Sequence, residues 1–177
     1  MAELIWSVLC SKSLIEPQTN LLSLFEVIEK ITLEGGEKKL LDAHAEGRKG
    51  ILLSVQMQVV SFWRRSDPSK GETSEGRVIL VNPRGETVAG QNFLINLKHN
   101  SGGYRQILRY HQFPVDSFGM YWFVAEQQRP AKSKKSQWTV ETRIPVDVVA
   151  GPEAAVASSE PLPASSPPPA RRPASGR

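Results

Sequence analysis

The chain has 177 residues, a net charge of +4 and 40% hydrophobic residues, enough for one domain whose core needs no metal or disulfide staple. A single cysteine, Cys10, excludes an intramolecular disulfide and favours a reducing compartment. The 22 basic residues are offset by 18 acidic ones, so charge balance alone does not point to nucleic acid.

Leu4, Trp6, Val8 and Cys10 alternate along a first strand, and Ile5 and Leu9 make its opposite face apolar, which predicts cover on both sides. This apolar run is too short and too interrupted for a signal peptide or membrane span, so a soluble, cytoplasmic protein without membrane contact is expected. Residues 16–20 (EPQTN) read as a turn. Residues 21–34 carry helical spacing (Leu21, Leu24, Phe25, Ile28, Ile31) and strand spacing (Phe25, Val27, Ile31, Leu33) together. β-Branched content and the Gly35-Gly36 stop favour one strand. Glu29 would then sit on its inward face and must lie at the sheet edge or be paired.

Residues 37–49 read as a charged connection with one helical turn around Leu40-Leu41. His44 lies in it with no partner at catalytic or metal spacing. Residues 51–65 alternate cleanly: Ile51, Leu53, Val55, Met57, Val59 and Trp63 share the apolar face of a long strand, and Trp63 or Phe62 is expected to fill the centre of the fold. A short strand over 77–81 leads through the turn Asn82-Pro83-Arg84-Gly85 into a hairpin returning along Phe93, Ile95 and Leu97. After the turn at 99–103, residues 104–113 form a further strand with Leu108 and Tyr110 on one face and Arg105, Ile107, Arg109 and His111 on the other.

Asp116, Gly119 and Tyr121 then form a D-x-x-G-x-Y corner ahead of the strand-like run 121–125. In immunoglobulin-like sandwiches such a tyrosine packs inward and returns its hydroxyl to backbone just upstream. A polar basic loop spans 128–137. A last strand carries Trp138, Val140, Ile144, Val146 and Val148, with Pro145 marking an edge or bulge. The fold expected is therefore all-β: an immunoglobulin-like antiparallel β-sandwich of about eight strands over residues 1–150. Residues 151–177 hold seven of the 13 prolines and no aromatic residue, which predicts a disordered, polyproline-like tail.

No catalytic serine elbow, zinc-binding helix, C-x-x-C pair or phosphate-binding glycine loop occurs, so no cofactor, metal or enzymatic activity is expected. The candidate binding set is basic. Arg105, Arg109 and His111 lie on one strand beside Tyr104 and Tyr110, and Arg129, Lys132, Lys134 and Lys135 lie in the loop that follows the corner strand. Such a surface suits an acidic partner or a phosphate backbone, and its competing explanation is solvated polar side chains that guard a strand edge.

Leu9-Cys10, Asn20-Leu21 followed by Phe25, Pro83-Arg84-Gly85 and Gly119-x-Tyr121-x-Phe123 together resemble a group of small uncharacterised bacterial proteins with an all-β sandwich. The resemblance covers residues 3–149, departs from the family at Ser11 and Ser23, and implies no activity. Phe123 stands where an immunoglobulin domain places its second cysteine, so an apolar contact would replace the bridge. The functional expectation is a non-enzymatic binding module with a protein partner. The alternatives are a carbohydrate-binding sandwich using Trp122, Trp138 or Tyr104, and nucleic-acid binding through the basic strand and loop.

Overall fold

A computed structural model describes residues 2–67, 69–98, 102–129 and 137–152. Of the expected tail, residues 151–177, Gly151 still belongs to the last strand, and everything beyond Pro152 falls outside the described residues. Nine strands and one helix follow in order: β1 (Ala2–Ile15), β2 (Leu22–Val27), β3 (Lys30–Glu34), α1 (Gly36–Ala45), β4 (Ile51–Arg65), β5 (Glu72–Val81), β6 (Thr87–Leu97), β7 (Tyr104–Val115), β8 (Gly119–Arg129) and β9 (Gln137–Gly151). They form two sheets, ordered β2-β1-β4-β7 and β3-β9-β8-β5-β6. One core joins their facing sides: Leu9, Met57, Val59, Leu108, Phe113 and Val115 from the first sheet meet Val78, Leu80, Tyr121, Phe123 and Val146 from the second. The architecture is an all-β sandwich.

Several expectations are corrected. There are nine described strands rather than eight, because residues 21–34 break into β2 and β3, one in each sheet. The break explains the mixed periodicity, since the two halves bury different faces. Glu29 lies exposed in the crossover between them, where its carbonyl accepts the Asp147 N–H at 2.9 Å. The sandwich is also not purely antiparallel, because β3 runs parallel to β9, Lys30 opposite Asp147 through Glu34 opposite Gly151. Pro145 precedes that pairing, so it sits where β9 has only β8 beside it. Residues 36–45 form a ten-residue helix rather than one turn. Leu40 and Ala43, three residues apart on one helical face, supply the buried contact that holds it.

β1 also departs from simple alternation. A register shift between Leu4 and Trp6 moves the strand onto its other face. Leu4 therefore packs inward beside Trp63, while Trp6 stacks on Phe62 on the outside of the sheet, ring centroids 5.9 Å apart. Trp63 is fully buried, but in a satellite cluster with Ala2, Ile95 and Leu97 rather than at the centre. Phe113, Tyr121 and Phe123 occupy the main core, with Tyr121 5.2 Å and Phe123 6.2 Å from the Phe113 ring.

The β1–β2 hairpin folds back over the outside of the first sheet. β1 leaves β4 at the Cys10–Gln58 pair, and opposite that point Glu26 takes a left-handed conformation (φ 51°) that non-glycine residues rarely adopt. A straight hairpin would carry Asn20 about 30 Å beyond the Trp6–Phe62–Arg105 row. Instead Arg105 Nη1 donates to Asn20 Oδ1 at 2.7 Å, and the Ser13 N–H and hydroxyl donate to Gln58 Oε1 at 3.1 and 2.6 Å. The consequence is visible at Val60. It lies on the outer face, between Val8 and Ile107, yet is 0% exposed.

Candidate functional site

β7 is an edge strand. It pairs with β4 along one side, from Ile51–Val115 to Trp63–Tyr104, and with no described strand along the other. Unpaired backbone N–H and C=O groups along such an edge are a template for another extended chain. The ladder is irregular where β4 residues Ser54 and Met57 face Gln112 and Tyr110. His111 and Gln112 are consecutively exposed there, flanked by the partly buried Tyr110 and the buried Phe113. Irregularities of this kind re-aim side chains at a sheet edge.

A groove lies on each side of this edge. One, of about 570 Å³, runs toward β6 and is lined by Ser54, Gly90, Gln91 and the β7 residues Arg109 to Gln112. The other, of about 370 Å³, runs toward the folded-back hairpin and is lined by Ser11, Lys12, Gln56, Gln58, Arg109 and His111. Neither contains a carboxylate. Lys12, Arg109 and His111 make no ion pair with a described residue, so the positive charge along this edge is uncompensated. Tyr110 lines both grooves, with its ring edge-on to Phe123 at 5.2 Å. Its buried hydroxyl has no hydrogen-bond partner, and burial pushes that phenol well above the ordinary tyrosine range.

The structure divides the basic set predicted from sequence. Arg109 and His111 come together at the β7 edge. Arg105 is half-buried and bound to Asn20, so it clamps the hairpin instead of facing solvent. Arg129 belongs to the other sheet, where its Nε and Nη2 donate to Glu141 Oε1 at 3.0 and 2.6 Å. Lys132, Lys134 and Lys135, and with them His99, lie outside the described residues. Lys12 is the member that sequence reasoning missed, because only the fold-back at Glu26 brings it beside Arg109. The aromatic platforms considered for sugar binding are largely occupied. Arg77 lies over the Trp138 ring at 4.2 Å, and the half-buried Tyr104 bonds Gln106 through its hydroxyl.

A larger groove, about 910 Å³, opens at one end of the sandwich among His44, Lys49, Leu52, Arg84, Glu86 and Asp116. Most of its charges already satisfy one another. Arg84 Nη2 donates to Asp116 Oδ2 at 2.7 Å and its Nε to Glu86 Oε2 at 3.3 Å, and Arg48 pairs with Glu46. The buried Asn82 donates to both Glu86 and Asp116. On the other carboxylate oxygen, Asp116 Oδ1 accepts from the Tyr121 hydroxyl at 2.8 Å and the Ser117 hydroxyl at 3.0 Å. Burial alone would raise the Asp116 carboxyl. The bonds from Asn82, Tyr121 and Ser117 and the Arg84 charge overcome that and hold it below the usual range. This network ties the corner together, whereas the cations beside β7 have no described ion-pair partner.

Among the described residues no three His, Cys, Asp or Glu side chains gather as a metal site, and no helix is long and apolar enough to cross a membrane. The chain matches no protein-family model and no curated protein.

Proposed function

We propose that the chain is a non-enzymatic binding module that takes an acidic, extended segment of a protein partner alongside β7. The single observation carrying this reading is the edge itself: twelve residues of strand with one side unpaired, flanked by two grooves whose charged lining is entirely basic. Strand addition would use the backbone edge for affinity, and the flanking grooves would select alternate side chains. Carboxylates on the incoming strand would meet Lys12, Arg109 and His111, which also steers encounter.

The finer fold reading, an immunoglobulin-like sandwich, belongs with this proposal. It is supported by the Tyr121 hydroxyl, which accepts the backbone N–H groups of Asp116 and Ser117 at 3.1 and 3.3 Å, the return expected of a tyrosine corner. The resemblance to uncharacterised bacterial all-β proteins fits the same reading. A cytoplasmic setting fits the buried free thiol of Cys10, which burial pushes above its ordinary value and so away from thiolate reactivity.

The test is affinity capture from the native host with wild type, the double variant Arg109→Glu/His111→Glu, and Arg129→Glu. The expected result is one partner retained by wild type and Arg129→Glu and lost by the double variant. Equal retention by all three, or no partner at all, would contradict the reading.

A further inference from the structure

We infer that the 370 Å³ cleft between the folded-back hairpin and β7 is a receptor for a phosphate monoester, and that the acidic partner carries a phosphorylated side chain there. This rests on the reading of β7 as a binding edge and adds the chemical class of its anchor. Three observations lead to it. First, the cleft gathers three basic side chains, Lys12, Arg109 and His111, with no carboxylate in its lining and no described ion-pair partner for any of them. A phosphomonoester carries about −1.5 to −2 charges at pH 7 and three acceptor oxygens, so it matches convergent donors better than a carboxylate does.

Second, neutral donors complete the ring. Gln58 lines the cleft, and its side-chain oxygen is already committed to the Ser13 N–H and hydroxyl, as the Ser11 hydroxyl is to the Phe25 carbonyl oxygen. What Gln58 has left to offer is its amide N–H₂, a donor. Gln56, the next exposed residue on β4, adds a second amide.

Third, the two walls are held in place by contacts of their own. Lys12 comes from the hairpin and Arg109 from β7. The hairpin is fixed over the sheet by Ser13 on Gln58 and by Asn20 on Arg105, at a bend set by the left-handed Glu26. A phosphoryl group bridging Lys12 and Arg109 would therefore cross-link the hairpin to the sheet edge and slow its opening.

The experiment titrates full-length protein with three hexapeptides of otherwise identical acidic sequence carrying central phosphoserine, glutamate or serine. Inorganic phosphate and a single-stranded dT12 oligonucleotide are run alongside, followed by NMR amide shifts and hydrogen exchange. The expected result is that the phosphopeptide binds at least about tenfold tighter than the glutamate peptide. Its shifts should centre on residues 11–13, 56–58 and 109–112, and exchange should slow across 11–27. Arg109→Gln and Lys12→Gln, both at exposed positions, should each remove the preference, and Arg129→Gln should keep it.

Equal binding of phosphoserine and glutamate peptides at β7 would overturn the phosphate assignment while leaving the acidic-strand reading standing. Failure of all three peptides to shift β7 would overturn both. Tighter binding of dT12 or of inorganic phosphate than of the phosphopeptide would overturn the assignment to a phosphorylated protein.

Discussion

Arg105 and Asn20, 85 positions apart in sequence, meet through a 2.7 Å hydrogen bond from guanidinium to side-chain amide oxygen. That contact and the Ser13–Gln58 pair latch the hairpin across the outside of the first sheet, the face on which Val60 is fully buried. The hairpin carries few deeply buried side chains of its own, so it should be the least stable part of the sandwich.

Arg105→Ala and Asn20→Ala should each raise amide exchange across residues 11–27 about fivefold, the equivalent of ~1 kcal/mol for one lost hydrogen bond, with exchange in β8 unchanged. Arg109→Ala, which breaks no such contact, should leave the hairpin as it is. Hydrogen exchange by mass spectrometry checks this, and an unchanged hairpin in both latch variants would contradict the fold-back account.

The buried Tyr121 uses its hydroxyl to serve two backbone N–H groups and the Asp116 carboxylate. Tyr121→Phe removes that atom while preserving the ring's contact with Phe113. Stability to urea should fall by ~1–3 kcal/mol, the cost of leaving buried partners unmet. A midpoint equal to wild type would show the corner to be held by packing alone.

Asp116 also predicts a pH response. Its folded carboxyl lies below the unfolded value, so the unfolded state binds the proton more readily. The stability it contributes is complete above about pH 4 and is lost as pH falls further, through the folded value. Urea midpoints measured from pH 6 down to 2.5 should therefore fall less steeply below about pH 4 for Asp116→Asn than for wild type. Parallel profiles would contradict this.

Gly50 lies at the entry to β4, where a Cβ would run into the Val115 carbonyl oxygen and come within 2.8 Å of Asp116 Cα. Backbone cannot yield as a flexible side chain does, so Gly50→Ala should cost ~1–3 kcal/mol. Gly90, whose Cβ would meet Ile79 Cγ2 at 3.4 Å and the Val78 carbonyl oxygen at 3.8 Å, both ordinary contacts, should accept alanine with a change within ~0.5 kcal/mol. Thermal melts of the two variants make the comparison, and equal midpoints would contradict it.

The long strands were legible because alternation persists over their full length: the Ile51 to Trp63 series marks β4, and D-x-x-G-x-Y marks the corner where Tyr121 turns inward. The fold-back was not legible. It depends on a non-glycine residue, Glu26, adopting a positive φ, and on a contact between Asn20 and Arg105 that no local pattern announces. For the same reason periodicity places Arg105 with Arg109 and His111 as an outward-facing candidate, and gives no signal for Lys12. Residues 21–34 misled differently. Their helical and strand periodicities overlap because two short strands with different buried faces meet there, and a single-period reading cannot represent a crossover between sheets. Periodicity identified Arg109 and His111 as outward-facing candidates, but only the sheet order shows that they line an edge to which no described strand is hydrogen-bonded.

Strand addition at β7 is the proposed mode of binding. Its most direct test is residue-resolved amide exchange of the uniformly ¹⁵N-labelled protein with and without a saturating acidic peptide. New protection is expected at alternate β7 amides between Tyr104 and Val115, those on the side away from β4. Protection confined to the end groove around His44 and Arg84, or spread over β8 and β9 with β7 unchanged, would contradict it.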